Sequence, residues 1–230
     1  MLFQSSFFGF QMLGVCILTL IIILYTLKKR ENDLHNYLLG FEVFVLLYSF
    51  SYTLYILFVP IWLKLLALAA EYMVLVFVFT LWLLFVCKYL EYEKVFEPKN
   101  MVLIFIIPII VFISAVSDPW THLISTPIVA PGVVEGVMFK REIMSIVGLI
   151  YGFSCAFLTI FISLYNIRKV KKSKRKALYL MLISPGLGLI TAFALILNVT
   201  EYSFVPMGCF IGVIFLFIAV FFTKTFDKHR

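Results

Sequence analysis

Residues 168–176 read RKVKKSKRK, seven positive charges in nine residues, inside a chain that is otherwise nearly all hydrocarbon. On a soluble fold with readable motifs such a run would suggest nucleic acid. The surrounding composition excludes that setting. Hydrophobic residues make up 63% of the 230, charged residues 13%, and the mean hydropathy is +1.09. Soluble domains carry roughly 45–50% apolar and about 25% charged residues. So little charge cannot cover a sphere of this size, so most of the surface faces lipid.

A span needs about 20 mostly apolar residues to cross roughly 30 Å of hydrocarbon. Seven stretches qualify, at about 7–27, 35–58, 62–86, 101–117, 143–165, 178–198 and 203–223. Backbone amides in lipid must bond internally, and these runs are apolar all round with no period of two, so they read as helices. The expected fold is an all-α polytopic bundle of seven transmembrane helices, forming one domain over 1–230. The fourth stretch is the shortest and carries Pro108. The first is not a removable signal: MLFQSSFFGFQ holds no positive charge, and Lys28, Lys29 and Arg30 follow its apolar run instead of preceding it.

Orientation follows from the basic residues in alternate connections. The segments 28–36, 88–100, 166–177 and 224–230 together hold 16 Lys and Arg, and the opposite set holds 3. The N-terminus is therefore expected outside and the C-terminus in the cytoplasm. RKVKKSKRK supplies the largest share of that asymmetry, with attraction to anionic lipid as a by-product and contact with an acidic partner as a further option. Trp62 and Trp120 then mark the outer interface and Trp82 lies toward the inner one. The extracellular connection 118–142, rich in Pro and Gly, reads as an irregular, β-like cap.

Few residues offer chemistry. Glu42 and Glu71 are carboxylates well inside spans, where an ionisable group is expensive and a functional candidate. Glu42 reads as a hydrogen-bonded or protonated glutamate that fixes packing. Glu71 reads either in that way or as a ligand-contacting group. Tyr48, Tyr52 and Tyr55 share one face of the second helix at the depth of Glu71 and would line an outward pocket, or else form an aromatic stripe buried in packing. SPGLG (184–188) places Pro185, Gly186 and Gly188 in the sixth helix, a kink that serves as a hinge or is structural only. Gly148-x-x-x-Gly152 and Gly208-x-x-x-Gly212 allow close helix approach, within the bundle or across a homodimer. Cys16, Cys87, Cys155 and Cys209 lie in apolar runs with no metal-site spacing. No nucleophile turn, zinc-protease motif or phosphate loop occurs. No enzyme site, metal or cofactor is expected, and the bilayer, not nucleic acid, is the partner.

The stretches ALAAEYMVLVFVFTLWLLFVCKYLEYEK, IFIIPIIVFISAVSDPWTHLI and RKALYLMLISPGLGLI resemble the seven-transmembrane N-terminal sensor region of prokaryotic histidine kinases, over about 45–225. The resemblance implies a sensory receptor in a prokaryotic plasma membrane. Its seventh helix would lead to a cytoplasmic kinase or other output, fused or acting in trans. Asp118 and His122 match the family's loop pattern, as structural cap or as ligand contact. The sequence stops at Arg230 without a phosphoacceptor-histidine motif or ATP-binding region, so a kinase core is expected on a fused or partner domain. Two alternatives stand beside the sensor: a small proton- or cation-coupled transporter using Glu71, and an accessory membrane subunit.

Overall fold

The computed structural model describes residues 6–128, 138–172, 174–183 and 205–222. Five long helices come first: α1 (Phe7–Lys28), α2 (Asp33–Leu57), α3 (Ile61–Tyr89), α4 (Pro98–Thr121) and α5 (Ile143–Ile167). Residues 174–183 begin α6, and Val205–Phe222 form α7. The five long helices are each long and apolar enough to cross a membrane, and α7 is a shorter apolar helix. The chain is a multi-pass membrane protein. The expected sixth and seventh spans lie partly outside the described residues.

α1 and α2 pack as an antiparallel pair through two stripes of heptad spacing. On α1 the buried series is Gly9, Met12, Cys16, Thr19, Ile23 and Thr26. On α2 it is His35, Leu38, Glu42, Val45, Ser49, Tyr52 and Ile56. Alternating steps of three and four keep one seam facing the partner along a shallow crossing. The seam is polar at intervals: Thr26 donates to Glu42 and the Cys16 sulfur lies 3.9 Å from the Thr53 hydroxyl. Ser6 and Asn32 cap the two helices, accepting from the amides of Gly9 and His35.

α3 is the central helix and touches α2, α4 and α5. Its residues from Val74 to Cys87 are buried on nearly every side, and they form the main core with Phe41, Val45, Tyr48, Cys155, Ala156, Leu178 and Leu216. Trp82 belongs to this core at 2% exposure, so it is not the interface marker expected from the sequence; Trp62 and Trp120, at 65% and 79%, are exposed at the opposite end of the bundle. Glycine lets α5 approach α3. A methyl on Gly148 would meet Val76 at 3.1 Å, and one on Gly152 would meet the Phe79 ring at 2.8 Å. This glycine face therefore packs within the bundle.

α4 departs most from expectation. It runs 24 residues from Pro98 to Thr121, with Pro108 and Pro119 both inside it. Pro98 starts it, where a missing amide hydrogen costs nothing. Pro108 should orphan the carbonyl four residues earlier, that of Ile104. The Tyr151 hydroxyl of α5 donates to that carbonyl at 2.7 Å and accepts from Thr80 of α3 at 3.3 Å. One tyrosine thus repairs the proline break and joins three helices.

The connection after α4 begins at His122 rather than at 118, because Asp118 to Thr121 are still helical. It contains a short antiparallel hairpin, β1 (Ser125–Ile128) against β2 (Met138–Arg141), with Ser125 paired to Arg141 and Ile128 to Met138. This hairpin departs from the otherwise helical architecture.

Candidate functional site

The antiparallel register of α2 and α3 is set by Phe44, which stacks on Phe77 with ring centroids 5.2 Å apart. Six residues further along each helix, away from the basic connections, come Phe50 and Glu71. Glu71 is half-buried there and interacts electrostatically with Tyr48 and Tyr55. Tyr48 is almost fully buried, shares a core cluster with Cys209 of α7, and lies within electrostatic reach of Tyr52 and Tyr72. The structure therefore brings Glu71 and the tyrosines together, with α7 as the third wall.

The three tyrosines do not act as one lining. Tyr48 packs into the main core between α2 and α3. Tyr52 turns toward α1, where it joins Met12, Val15 and Ile56, with its ring edge-on to Phe8 at 6.3 Å. Tyr55 is half-buried and stacks on Tyr52 at 6.2 Å. Spacing alone puts all three on one face; two helices at different angles divide that face between them. Tyr72 and Cys209 were not foreseen, because nothing local in the sequence marks them. The adjacency of Tyr72 to Glu71 was the only available signal.

Asp118 and His122 lie elsewhere. Asp118 is buried, and its Oδ1 accepts from the Ile124 amide at 2.6 Å, while its carbonyl accepts from the His122 amide. His122 ends α4 in a left-handed conformation with φ 49° and is exposed. The turn continues through hydrogen bonds from Glu142 to Ile124 and from Met144 to Leu123, which tie it to the start of α5. In this geometry Asp118 fixes a corner. Pro185, Gly186 and Gly188, read as a hinge, lie outside the described residues.

At the basic end, the loop after α3 docks on the start of α6. The Tyr89 hydroxyl donates to the Lys174 carbonyl, the Lys174 ammonium pairs with Glu91 at 2.8 Å, and Tyr92 is hydrogen-bonded to Asn166. Arg175 donates to the carbonyls of Val170 and Arg168. Lys174 and Arg175 are thus tied to other parts of the protein and the Lys169 ammonium lies over the Tyr165 ring at 3.4 Å, whereas Arg168, Lys171, Lys172 and Lys176 are exposed. Among the described residues no group of His, Cys, Asp and Glu is arranged to hold a metal ion.

Five helices of span length and apolar composition define a polytopic membrane protein. The model for the N-terminal 7TM region of histidine kinase matches residues 11–228, and the chain belongs to that family. The match takes in α1 and the start of α2, which lie outside the resemblance read from 45 onward. It is the sensor region of such kinases and not their catalytic core, which makes the chain a membrane sensor module. No curated protein sequence matches the chain.

Proposed function

We propose that the chain is the input half of a two-component receptor in a prokaryotic plasma membrane, with its N-terminus outside and its C-terminus in the cytoplasm. The stimulus, extracellular or dissolved in the bilayer, acts in the outer half of the bundle. The response leaves through α7 to a histidine kinase or similar output, fused or bound in trans. The observation that supports this reading is that Tyr48 of α2 shares one core cluster with Cys209 of α7 and lies within electrostatic reach of Glu71 of α3. A ligand bound at Glu71 would act on α7 through the buried Tyr48, which packs in one cluster with Cys209. It can drive signalling only by binding two helix arrangements with different affinity. The 16-to-3 division of Lys and Arg supports the orientation.

The experiment is Glu71→Gln, read both as kinase output and as solute uptake into vesicles. The sensor reading expects a changed output and no uptake in either protein. Uptake by the wild type that disappears in the variant would show a carrier instead.

A further inference from the structure

The carboxyl of Glu42 is 0% exposed, nine residues into α2, or about 13 Å along the axis at the helical rise. Its Oε1 accepts one hydrogen bond, 2.9 Å from the Thr26 hydroxyl of α1. Its Oε2 has no partner among the described residues. Thr26 lies two residues before the last residue of α1, so about half a turn of helix separates the pair from the connection to α2. We propose that the Thr26–Glu42 pair is an intramembrane proton-binding site whose occupancy sets the position of the end of α7. This rests on the reading of α7 as the output helix.

The pattern of contacts is that of a neutral acid. One oxygen accepts from Thr26 as a carbonyl would, and the other carries the proton. When the proton passes to water at the basic end, two acceptor oxygens and a full charge remain against a single hydroxyl. A buried charge so poorly paired is strongly unfavourable. The seam between α1 and α2 must then part to admit water.

Among the described residues, the neighbourhood offers little else to compensate the charge. From α1, the basic groups Lys28, Lys29 and Arg30 lie beyond Thr26, toward the connection. On α2 itself, His35 precedes Glu42 by seven residues on the same stripe and is held by Asn32 at 2.7 Å, and Asp33 begins the helix. α3 carries Cys87 and Lys88 near its end, and Lys88 pairs with Glu93. The one titratable residue of α7 among those described is Cys209, which lies up by Tyr48.

Parting the seam would reach α7 directly. Tyr25, adjacent to Thr26, packs edge-on against Phe217 and Phe221 of α7 with centroids 5.3 and 5.5 Å away. His35 lies 5.2 Å from Phe221. Both sides of the Thr26–Glu42 latch therefore grip the same end of α7.

The test uses the full chain in nanodiscs, with the proton as the only varied ligand. Infrared difference spectra across pH should show a titrating protonated-carboxyl band that is lost in Glu42→Gln. Spin labels at Leu27→Cys and Phe222→Cys, introduced beside four buried native cysteines, should report a distance that shifts with the same midpoint. In Glu42→Gln that distance should stay at its acid value, and Thr26→Val should keep the band but move its midpoint. A titrating carboxyl spectrum unchanged by Glu42→Gln, or a label distance independent of pH, overturns the proposal. So does a sodium titration at fixed pH that moves the labels as the proton does, since the site would then bind a metal cation. Failure here leaves the Glu71 experiment unaffected, because that reads kinase output and uptake, not carboxyl protonation.

Discussion

Replacing Tyr151 by Phe removes a single hydroxyl that sits at the junction of α3, α4 and α5. Thr80 loses little, because its hydroxyl also donates to the Val76 carbonyl at 2.8 Å in its own helix. The carbonyl of Ile104 loses its donor at 2.7 Å, and Pro108 cannot replace it. An unsatisfied buried acceptor costs about 1–3 kcal/mol. Hydrogen bonds between membrane helices average nearer ~0.6 kcal/mol, because the unfolded reference state finds partners too. The expected cost of Tyr151→Phe is therefore about 1–2 kcal/mol, toward the lower part of the range for an orphaned acceptor. The decisive comparison is the same change in a Pro108→Ala background. An alanine restores the amide that bonds Ile104 within α4, so the tyrosine hydroxyl becomes nearly redundant and its loss should cost well under ~1 kcal/mol. Reversible unfolding in bicelles of the wild type, the two single variants and the double variant gives the coupling energy. Equal costs for Tyr151→Phe in both backgrounds would refute the idea that this hydroxyl repairs the proline.

Two further changes probe the packing. Gly152→Ala pushes a methyl to 2.8 Å from the buried Phe79 ring and should destabilise by about 1–3 kcal/mol. Gly14→Ala meets nothing within 4 Å and should be neutral or stabilising in the same melting assay; a similar loss from both would contradict the close α3–α5 approach. Asp118→Ala should cost about 1–3 kcal/mol and expose the Ile124 amide to hydrogen exchange. Asp118→Asn, which keeps the accepting oxygen, should retain most of that protection. Wild-type exchange at Ile124 in the alanine variant would rule out the corner formed by Asp118.

Most of the helical framework was legible because it depends on composition: apolar runs of span length, bounded by charge, leave few other structures in lipid. Gly148 and Gly152 also announced close approach, though not which helix approached. What escaped was tertiary. Pro108 suggested a weak, short fourth helix, but its remedy is a tyrosine 43 residues away in the sequence, which no local pattern reveals. Trp82 lies toward the basic end as read but inside the protein, because aromatic belts describe helices with a lipid face and α3 is surrounded by protein there. The level of Glu71 against α2 was readable from helix direction alone. The splitting of Tyr48 from Tyr52 was not, since it depends on where α1 sits. Asp118 resembled a loop residue until the helix was seen to continue past Pro119 and use its carboxylate to close the turn.

The proposed signalling of this bundle through α7 is tested most directly by alanine insertion after Phe222. Each inserted residue rotates the downstream segment by about 100° if the helix continues. With the chain joined to a histidine kinase core in proteoliposomes, autophosphorylation should change sharply with one or two alanines and return toward the wild-type rate as the helical phase is restored. Autophosphorylation indifferent to every insertion would mean that α7 does not carry the signal.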